Sequence, residues 1–409
     1  MSFGLIGAKL GHSCSPRIHA LLGNGDYRLL ELDESALGKF FAARDFRGIN
    51  VTIPYKRAVL PLLDQVDERA SRIGAVNTVV RGPDGCLIGY NTDFDGFQAL
   101  CAYAGVELSG KRVLILGSGG TSQTVRAAAE AAGASEIRTV SRSGALNYET
   151  MYGLRDTEVL VNTTPVGMFP DNDGCPADPA RFPNLAGVLD VVYNPLRTEL
   201  VARARALGLP ASGGLPMLVM QAVRAHELFF GCKVEPQTAA RVLQTIADER
   251  ADYVLIGMPG CGKSTIGALL AGKLGRKLVD ADEEITRLAG KPIPKIFAED
   301  GETVFRDWET KALSQLGKQS ALVIATGGGC VTQMRNYPLL HQNGTIFWLK
   351  RDISKLPTDG RPLSQASPLD AMFVKRAPMY AAFADHAVSN DGTAEETVAA
   401  ILSIMEEPI

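Results

Sequence analysis

Gly257, Gly262, Lys263 and Ser264 in "LIGMPGCGKSTIG" satisfy the spacing GxxxxGK[ST]. Glycines at those places let successive backbone N–H groups turn inward around phosphate oxygens. Lys263 reaches the terminal phosphates, and the Ser264 hydroxyl suits Mg²⁺. A strand-like run precedes the loop and a helical one follows, so the helix aims its positive end at the phosphates. A chance match is expected roughly 0.02 times in a chain of this length. Gly260, Cys261, Gly262, Lys263, Ser264 and Thr265 are therefore assigned to ATP. A second glycine loop comes earlier, in "VLILGSGGTSQT", as Gly117-Ser118-Gly119-Gly120-Thr121. It also follows a strand, as a dinucleotide cradle does. Ser122 stands where GxGxxG has its third glycine, so the loop alone says little. The next strand, "EIRTV", runs into Ser141-Arg142-Ser143. An NAD site calls for an acidic residue there, on the ribose diol, whereas Arg142 suits the 2′-phosphate of NADP.

Four features narrow the chemistry of the C-terminal half. "KLVDAD" places Asp280 and Asp282 at the C-terminal end of a strand, where open α/β sheets bind ligands. Asp280 is suited to the Mg²⁺ shell, and Asp282 to accepting a hydroxyl proton from an acceptor substrate. "FRDWETKAL" sets Arg306 and Glu309 on one helix face. "VIATGGGC" ends a strand in three glycines, which let main chain touch a small ligand closely. "DGRPLS" and "KRAPMYAAF" supply Arg361 and Arg376. This set, in this order, resembles shikimate kinase over about residues 253–409. The resemblance implies that Asp282, Arg306, Gly328 and Arg376 bind shikimate, the two arginines forking its carboxylate. It implies that Arg361 touches ATP from a lid near 352–366, although the stretch from Lys350 to Arg361 is short for the family's lid.

In the N-terminal half, Ser13 and Ser15 stand just before Pro16 in "GHSCSPRIHALL", a helix-start signal. Two hydroxyls there would suit a carboxylate, or would simply cap the helix. "GINVTIPYK", "GAVNT", "GYNTDFDGF", "NTTPVGM" and "GGLPMLVMQA" follow. Together these resemble shikimate dehydrogenase over roughly Gly4 to Asp248. The glycine loop has that family's GxGGx form, and Ser-Arg-Ser replaces its usual Asn-Arg-Thr. The resemblance implies that Ser13, Ser15, Thr52, Asn77, Tyr193 and Gln221 bind the substrate's carboxylate and hydroxyls. Lys56 and Asp93 would be the catalytic pair, Asp93 serving also, or instead, as a helix N-cap. Gly214 and the backbone near Val191 would approach the nicotinamide.

The elements that must position these residues alternate almost throughout. Strand-like runs ("GLIGA", "INVTI", "RVLILG", "EIRTV", "EVLVNT", "GVLDVVY", "YVLIG", "KLVDAD", "ALVIAT", "TIFWLK") are separated by helical patterns, the rhythm of parallel sheets with crossover helices. The fold class is α/β. An α/β substrate domain over 1–97 is completed by 215–248, and a Rossmann NADP domain lies between them at 98–214. A P-loop domain like the nucleoside-monophosphate kinases fills 252–409. The joint falls at "DERAD", Asp248–Asp252.

Bulk properties agree with small-molecule work. Across 409 residues the formal net charge is −3, which offers no field for nucleic acid. The seven cysteines are scattered without a CxxC pair, which argues against a disulfide framework or zinc and for a cytoplasmic setting. No signal peptide is read, and no apolar run approaches the ~18 residues of a membrane span. The five histidines are dispersed, and His19 reads as a core residue. Oligomeric state stays open between monomer and homodimer.

The two resemblances imply successive steps of aromatic amino acid biosynthesis. NADPH would reduce 3-dehydroshikimate to shikimate, and ATP would phosphorylate shikimate to shikimate 3-phosphate. One alternative is an NAD-dependent quinate/shikimate dehydrogenase fused to a kinase, against which Arg142 stands. Another is a chain with one half inactive and regulatory, against which Lys56, Asp93, Lys263 and Asp282 all stand.

Overall fold

A computed structural model describes residues 2–11, 13–356 and 369–406. The chain divides into two compact units, Met1–Asp248 and Glu249–Ile409. Between helix Pro236–Arg250 and the first strand of the second unit stands a single residue, Ala251.

The first unit holds two sheets. One contains β1 (Phe3–Gly7), β2 (Tyr27–Glu31), β3 (Gly48–Val51), β4 (Gln65–Val66), β5 (Thr78–Arg81) and β6 (Leu87–Tyr90), in the order β2-β1-β3-β5-β6-β4. Every residue of β1 and β3 is buried, as expected of strands covered on both faces. The parallel rhythm fails here, because β5 runs antiparallel to both β3 and β6. The cause is local. "RGPDGC" between β5 and β6 carries the Pro-Asp-Gly signature of a tight turn, with Gly85 at φ +83°. The Gly82 N–H closes it on the Cys86 carbonyl at 2.8 Å.

The second sheet is parallel: β7 (Arg112–Leu116), β8 (Glu136–Val140), β9 (Val159–Asn162), β10 (Gly187–Asp190) and β11 (Ala211–Ser212), in the order β11-β10-β9-β7-β8. Helix Asp93–Ala104 leads from the first sheet towards the second and packs on helix Leu215–Phe230. The two approach so closely at Gly96 that a Cβ there would lie 2.6 Å from the Met217 carbonyl oxygen. His19 is fully buried, stacked on Tyr27 at 4.0 Å, and burial lowers its pKa to about 3. It is a core residue, as its position in the sequence implies.

The second unit is one parallel sheet of β12 (Asp252–Ile256), β13 (Lys277–Asp280), β14 (Leu322–Ala325), β15 (Gly344–Lys350) and β16 (His386–Ser389), ordered β13-β14-β12-β15-β16. Its centre, β12, is buried along its whole length. The phosphate-loop motif begins at its C-terminal end, and the loop's sequel is helix Lys263–Leu274. Among the described residues no helix is long and apolar enough to cross a membrane, and the seven cysteines are free thiols.

Candidate active sites

In the first unit a cleft of about 400 Å³ opens at the C-terminal ends of β1 and β3. Ser13, Ser15, Thr52, Lys56, Asn77, Asp93, Tyr193 and Gln221 all line it, together with Thr121, Val191 and Gly214. Residues far apart in sequence thus meet in one place. Lys56 leaves the turn after β3, and Asp93 is the first residue of helix Asp93–Ala104. The Lys56 ammonium donates to the Asp93 carboxylate at 2.5 Å, with both side chains mostly shielded from solvent. Thr92, not Asp93, is the N-cap residue, and it makes no side-chain cap bond. The carboxylate is therefore turned to the lysine, while its place in the first helical turn favours its negative charge.

Ser13 and Ser15 do not cap their helix conventionally. Cys14 is the N-cap residue and makes no side-chain cap bond, while the Ser13 hydroxyl accepts from the Ser15 N–H at 3.2 Å. Asn77 is locked by Thr92, whose N–H donates to Asn77 Oδ1 at 2.7 Å. Gly214 is pressed onto the chain before Tyr193. A Cβ there would stand 2.1 Å from the Val191 carbonyl oxygen, so no larger residue fits. The Gln221 amide donates to the Leu218 carbonyl of its own helix.

The glycine loop begins one residue past β7, and Gly117 has φ +104°. A Cβ on Gly119 or Gly120 would meet no atom within 4 Å, so the start of helix Gly120–Ala131 has open room for a pyrophosphate. Ser118 lies between these glycines. Arg142 is exposed and stands two residues past β8, the parallel neighbour of β7. Both loops therefore emerge at one end of the sheet, and the residues fit a dinucleotide.

Two groups lie outside the sequence assignments. Asn50 also lines the cleft, and its signal is the Asn of "GINVTIPYK". Asp190, fully buried, accepts from Asn162, from the Val192 N–H and from Thr198. It ties the "NTTPVGM" loop to the turn that carries Val191 and Tyr193. Burial pushes its carboxyl up to about 7.

In the second unit a cleft of about 550 Å³ runs from the phosphate loop to the glycine triplet. Gly260, Gly262, Lys263, Ser264, Thr265, Asp280, Asp282, Arg306, Gly328 and Arg376 line it. Cys261 does not, since its side chain is fully buried and its N–H is bonded to the Met258 carbonyl. The Lys263 ammonium spans the loop, donating to the Gly257 and Met258 carbonyls at 3.0 Å each. Ser264 donates to Asp280 Oδ2 at 2.9 Å. Two hard oxygens side by side fit Mg²⁺, which takes its remaining ligands from phosphate and water.

Arg306 is 5% exposed and clamped by Glu309 at 2.9 Å and Glu302 at 3.0 Å. Arg376, also buried, donates to the Gly328 carbonyl at 3.1 Å. Burial pushes the Glu309 carboxyl up, against the pull of Arg306. The triplet's glycines have a different cause from the one the sequence suggests. A Cβ on Gly328 would meet Pro259 at 2.7 Å, and one on Gly329 would meet the Arg306 guanidinium at 2.4 Å. One on Gly327 would meet Asp282 and Glu309, at 3.0 and 3.1 Å. The glycines make room for the loop and the charged walls of the site itself. Arg361 and residues 357–366 of the expected lid lie outside the described residues.

Comparison with known proteins divides the chain the same way. The family described as "Shikimate dehydrogenase substrate binding domain" matches residues 5–79, and "Shikimate kinase" matches residues 259–406. A shikimate dehydrogenase (NADP(+)) of Clostridium perfringens is 35% identical over 265 residues, covering 60% of this chain and 97% of that protein. Among solved structures, a chorismate mutase/shikimate 5-dehydrogenase fusion protein from Clostridium acetobutylicum aligns with a TM-score of 0.57 at 32% identity. It covers 60% of this chain and 97% of its own. Shikimate 5-dehydrogenase from Thermus thermophilus, in complex with NADP(H) and shikimate, aligns with a TM-score of 0.54 at 34% identity, covering 60% and 99%.

Proposed function

The chain belongs to the shikimate dehydrogenase family and carries a shikimate kinase domain behind it, and on that premise we propose that it catalyses two successive reactions of one pathway. The first unit reduces 3-dehydroshikimate to shikimate with NADPH. The second phosphorylates shikimate to shikimate 3-phosphate with ATP. The observation that supports this reading is that residues far apart in sequence gather in two clefts, Thr121 of the glycine loop lining the first and Gly260, Gly262, Lys263, Ser264 and Thr265 of the phosphate loop lining the second.

In the first cleft Ser13 and Ser15 take the substrate's carboxylate, and Thr52, Asn77, Tyr193 and Gln221 its hydroxyls. NADPH, when bound along Gly117–Thr121 with Arg142 on its 2′-phosphate, supplies the hydride to the carbonyl carbon. Lys56 donates a hydrogen bond to the carbonyl oxygen and then the proton that the new hydroxyl needs. Asp93 holds the ammonium in place at 2.5 Å. Gly214, pressed on Val191, keeps the wall beside the nicotinamide thin. An exposed arginine after β8, with no acidic residue in its place, supports NADP over NAD and so disfavours an NAD-dependent quinate enzyme.

In the second cleft Arg306 and Arg376 fork the shikimate carboxylate. Asp282 accepts the proton of the attacking hydroxyl. Lys263 exchanges its two loop carbonyls for phosphate oxygens, and Ser264 and Asp280 hold Mg²⁺, which neutralises phosphate charge when bound. The domain limits 1–97 with 215–248, 98–214 and 252–409 belong to this proposal.

The test is one incubation of the full chain with 3-dehydroshikimate, NADPH and Mg-ATP. NADPH absorbance is followed and products are identified by mass spectrometry. Shikimate 3-phosphate, absent when either nucleotide is omitted, is expected. Shikimate without phosphate refutes the kinase half, and no NADPH consumption refutes the dehydrogenase half. NAD⁺ and quinate, offered in the reverse direction, test the alternative specificity.

A further inference from the structure

Behind the first cleft lies a residue that supports its wall without lining it. Tyr27, on edge strand β2, is buried and does not line the cleft. Its hydroxyl donates to Asn50 Oδ1 at 2.7 Å and lies within reach of the Ser15 side chain. Asn50 is itself nearly enclosed, and its amide nitrogen faces the Asn77 carbonyl at 3.2 Å and Thr78 Oγ1 at 2.9 Å. A carbonyl oxygen can only accept, so the Asn50 amide must present its N–H₂ on that side. Its oxygen is then committed to Tyr27, which is the donor it needs.

The chain of bonds continues without a break. Thr78 Oγ1 lies 3.2 Å from Asn77 Oδ1 and 3.1 Å from Thr92 Oγ1. Asn77 Nδ2 donates to Thr92 Oγ1 at 3.0 Å, and the Thr92 N–H returns to Asn77 Oδ1 at 2.7 Å. Thr92 immediately precedes Asp93, whose carboxylate holds Lys56. All members of this network are buried, so each lost donor leaves an acceptor that water cannot readily serve.

We propose that Tyr27 is a positioning residue for the dehydrogenase cleft: its hydroxyl orients Asn50, which in turn fixes Asn77 and the head of the helix that carries Asp93. This rests on the dehydrogenase reading above. Tyr27 acts through other groups and touches no substrate. No sequence signal marks it, since "GDYRLLE" carries no motif.

Tyr27→Phe is the decisive change, because it removes one oxygen and keeps the ring stacked on His19 at 4.0 Å. The full chain is assayed for shikimate oxidation with NADP⁺, with kcat and KM resolved for both, and for shikimate phosphorylation in the same preparation. The expected result is a loss of about tenfold or more in kcat/KM for shikimate, since small misplacements of a reacting group are costly. KM for NADP⁺ and kinase turnover should stay within about twofold. Asn50→Ala should show the same selective loss, and the double variant should be little worse than Asn50→Ala alone.

Tyr27→Phe within about twofold of wild type for shikimate overturns the proposal. So do losses that multiply in the double variant, and so does an equal loss in KM for NADP⁺, which general loosening would give. A wild-type chain that does not oxidise shikimate with NADP⁺ overturns the dehydrogenase reading, and this proposal with it.

Discussion

Lys56 and Asp93 come from segments 37 residues apart and meet at 2.5 Å, with little solvent around either side chain. A lysine so held presents its remaining N–H groups in fixed directions, which a general acid requires. Lys56→Met should therefore lower kcat for reduction by about 100-fold or more while leaving KM for NADPH near its wild-type value. Steady-state rates that stay within about tenfold would remove the proton-transfer role and leave the pair a structural ion pair. His19 makes a different residue-scale prediction. Folded, its pKa is lowered to about 3 by burial first and by His226 second. Unfolded, it returns to about 6.5. Between these values the unfolded chain binds a proton that the folded chain does not. Stability is therefore fully kept above about pH 6.5 and falls as pH drops towards 3. Asp190 has its folded pKa raised to about 7, so its sign is opposite and stability falls as pH rises through that value. His19→Phe keeps a ring against Tyr27 and isolates the first effect. The variant should lose less stability than wild type between pH 7 and pH 5, read from urea midpoints of the first unit's transition. Equal losses would show that His19 does not set that slope.

At the scale of elements, glycine positions separate tolerance from necessity. Gly329 ends the turn after β14, and a Cβ there would stand 2.4 Å from the buried Arg306 guanidinium, which Glu309 and Glu302 hold in place. Gly329→Ala must push that guanidinium out of register. KM for shikimate should rise about tenfold or more, the scale of one charge-assisted hydrogen bond, with KM for ATP little changed. Gly272, in helix Lys263–Leu274, has nothing within 4 Å of its missing Cβ. Gly272→Ala should instead stabilise the chain by about 0.5–1 kcal/mol, seen as a higher denaturation midpoint. Equal behaviour of the two variants would mean that Arg306 can swing aside freely. The same contrast explains what can be read from the sequence. After a charged first residue, β7 and β12 are unbroken apolar runs, and the phosphate loop is a fixed spacing, so both are legible. The antiparallel β5–β6 pair escapes a reading built on alternating strands and helices, although its Pro-Asp-Gly turn stands in the sequence. β2 and β16 escape it because their residues, Tyr-Arg-Leu-Leu-Glu and His-Ala-Val-Ser, are largely exposed and half-polar, with no apolar run to mark them. Site residues tied to motifs, such as Thr52 and Asp282, are legible, and Asn50 stands in the same motif as Thr52, whereas the role of Asp190 depends on contacts between segments that no local spacing encodes.

At the scale of the whole molecule, each unit has its own core. Val254, Ile324, Phe347 and Tyr380 belong to a cluster confined to the second unit. Ile6, Phe41, Ile49 and Val79 belong to one confined to the first. Among the described residues, the lining of each cleft is drawn from its own unit. Chemistry in one should therefore survive a lesion in the other. Lys263 is the sharpest place to test this. Its ammonium is the group that would meet the terminal phosphates, and its stem is buried in helix Lys263–Leu274. Lys263→Ala should reduce phosphorylation by about 100-fold or more, the scale of one preorganised transition-state donor. NADPH-dependent reduction should stay within about twofold of wild type. In the coupled incubation the variant should stop at shikimate, which is small and polar and will accumulate in solution. Adding an independent, active shikimate kinase should then restore shikimate 3-phosphate at the full rate, because the intermediate is free to leave the first cleft. Reduction that slows together with phosphorylation would show that the units communicate. An added kinase that cannot reach the intermediate would show that shikimate is retained by the chain.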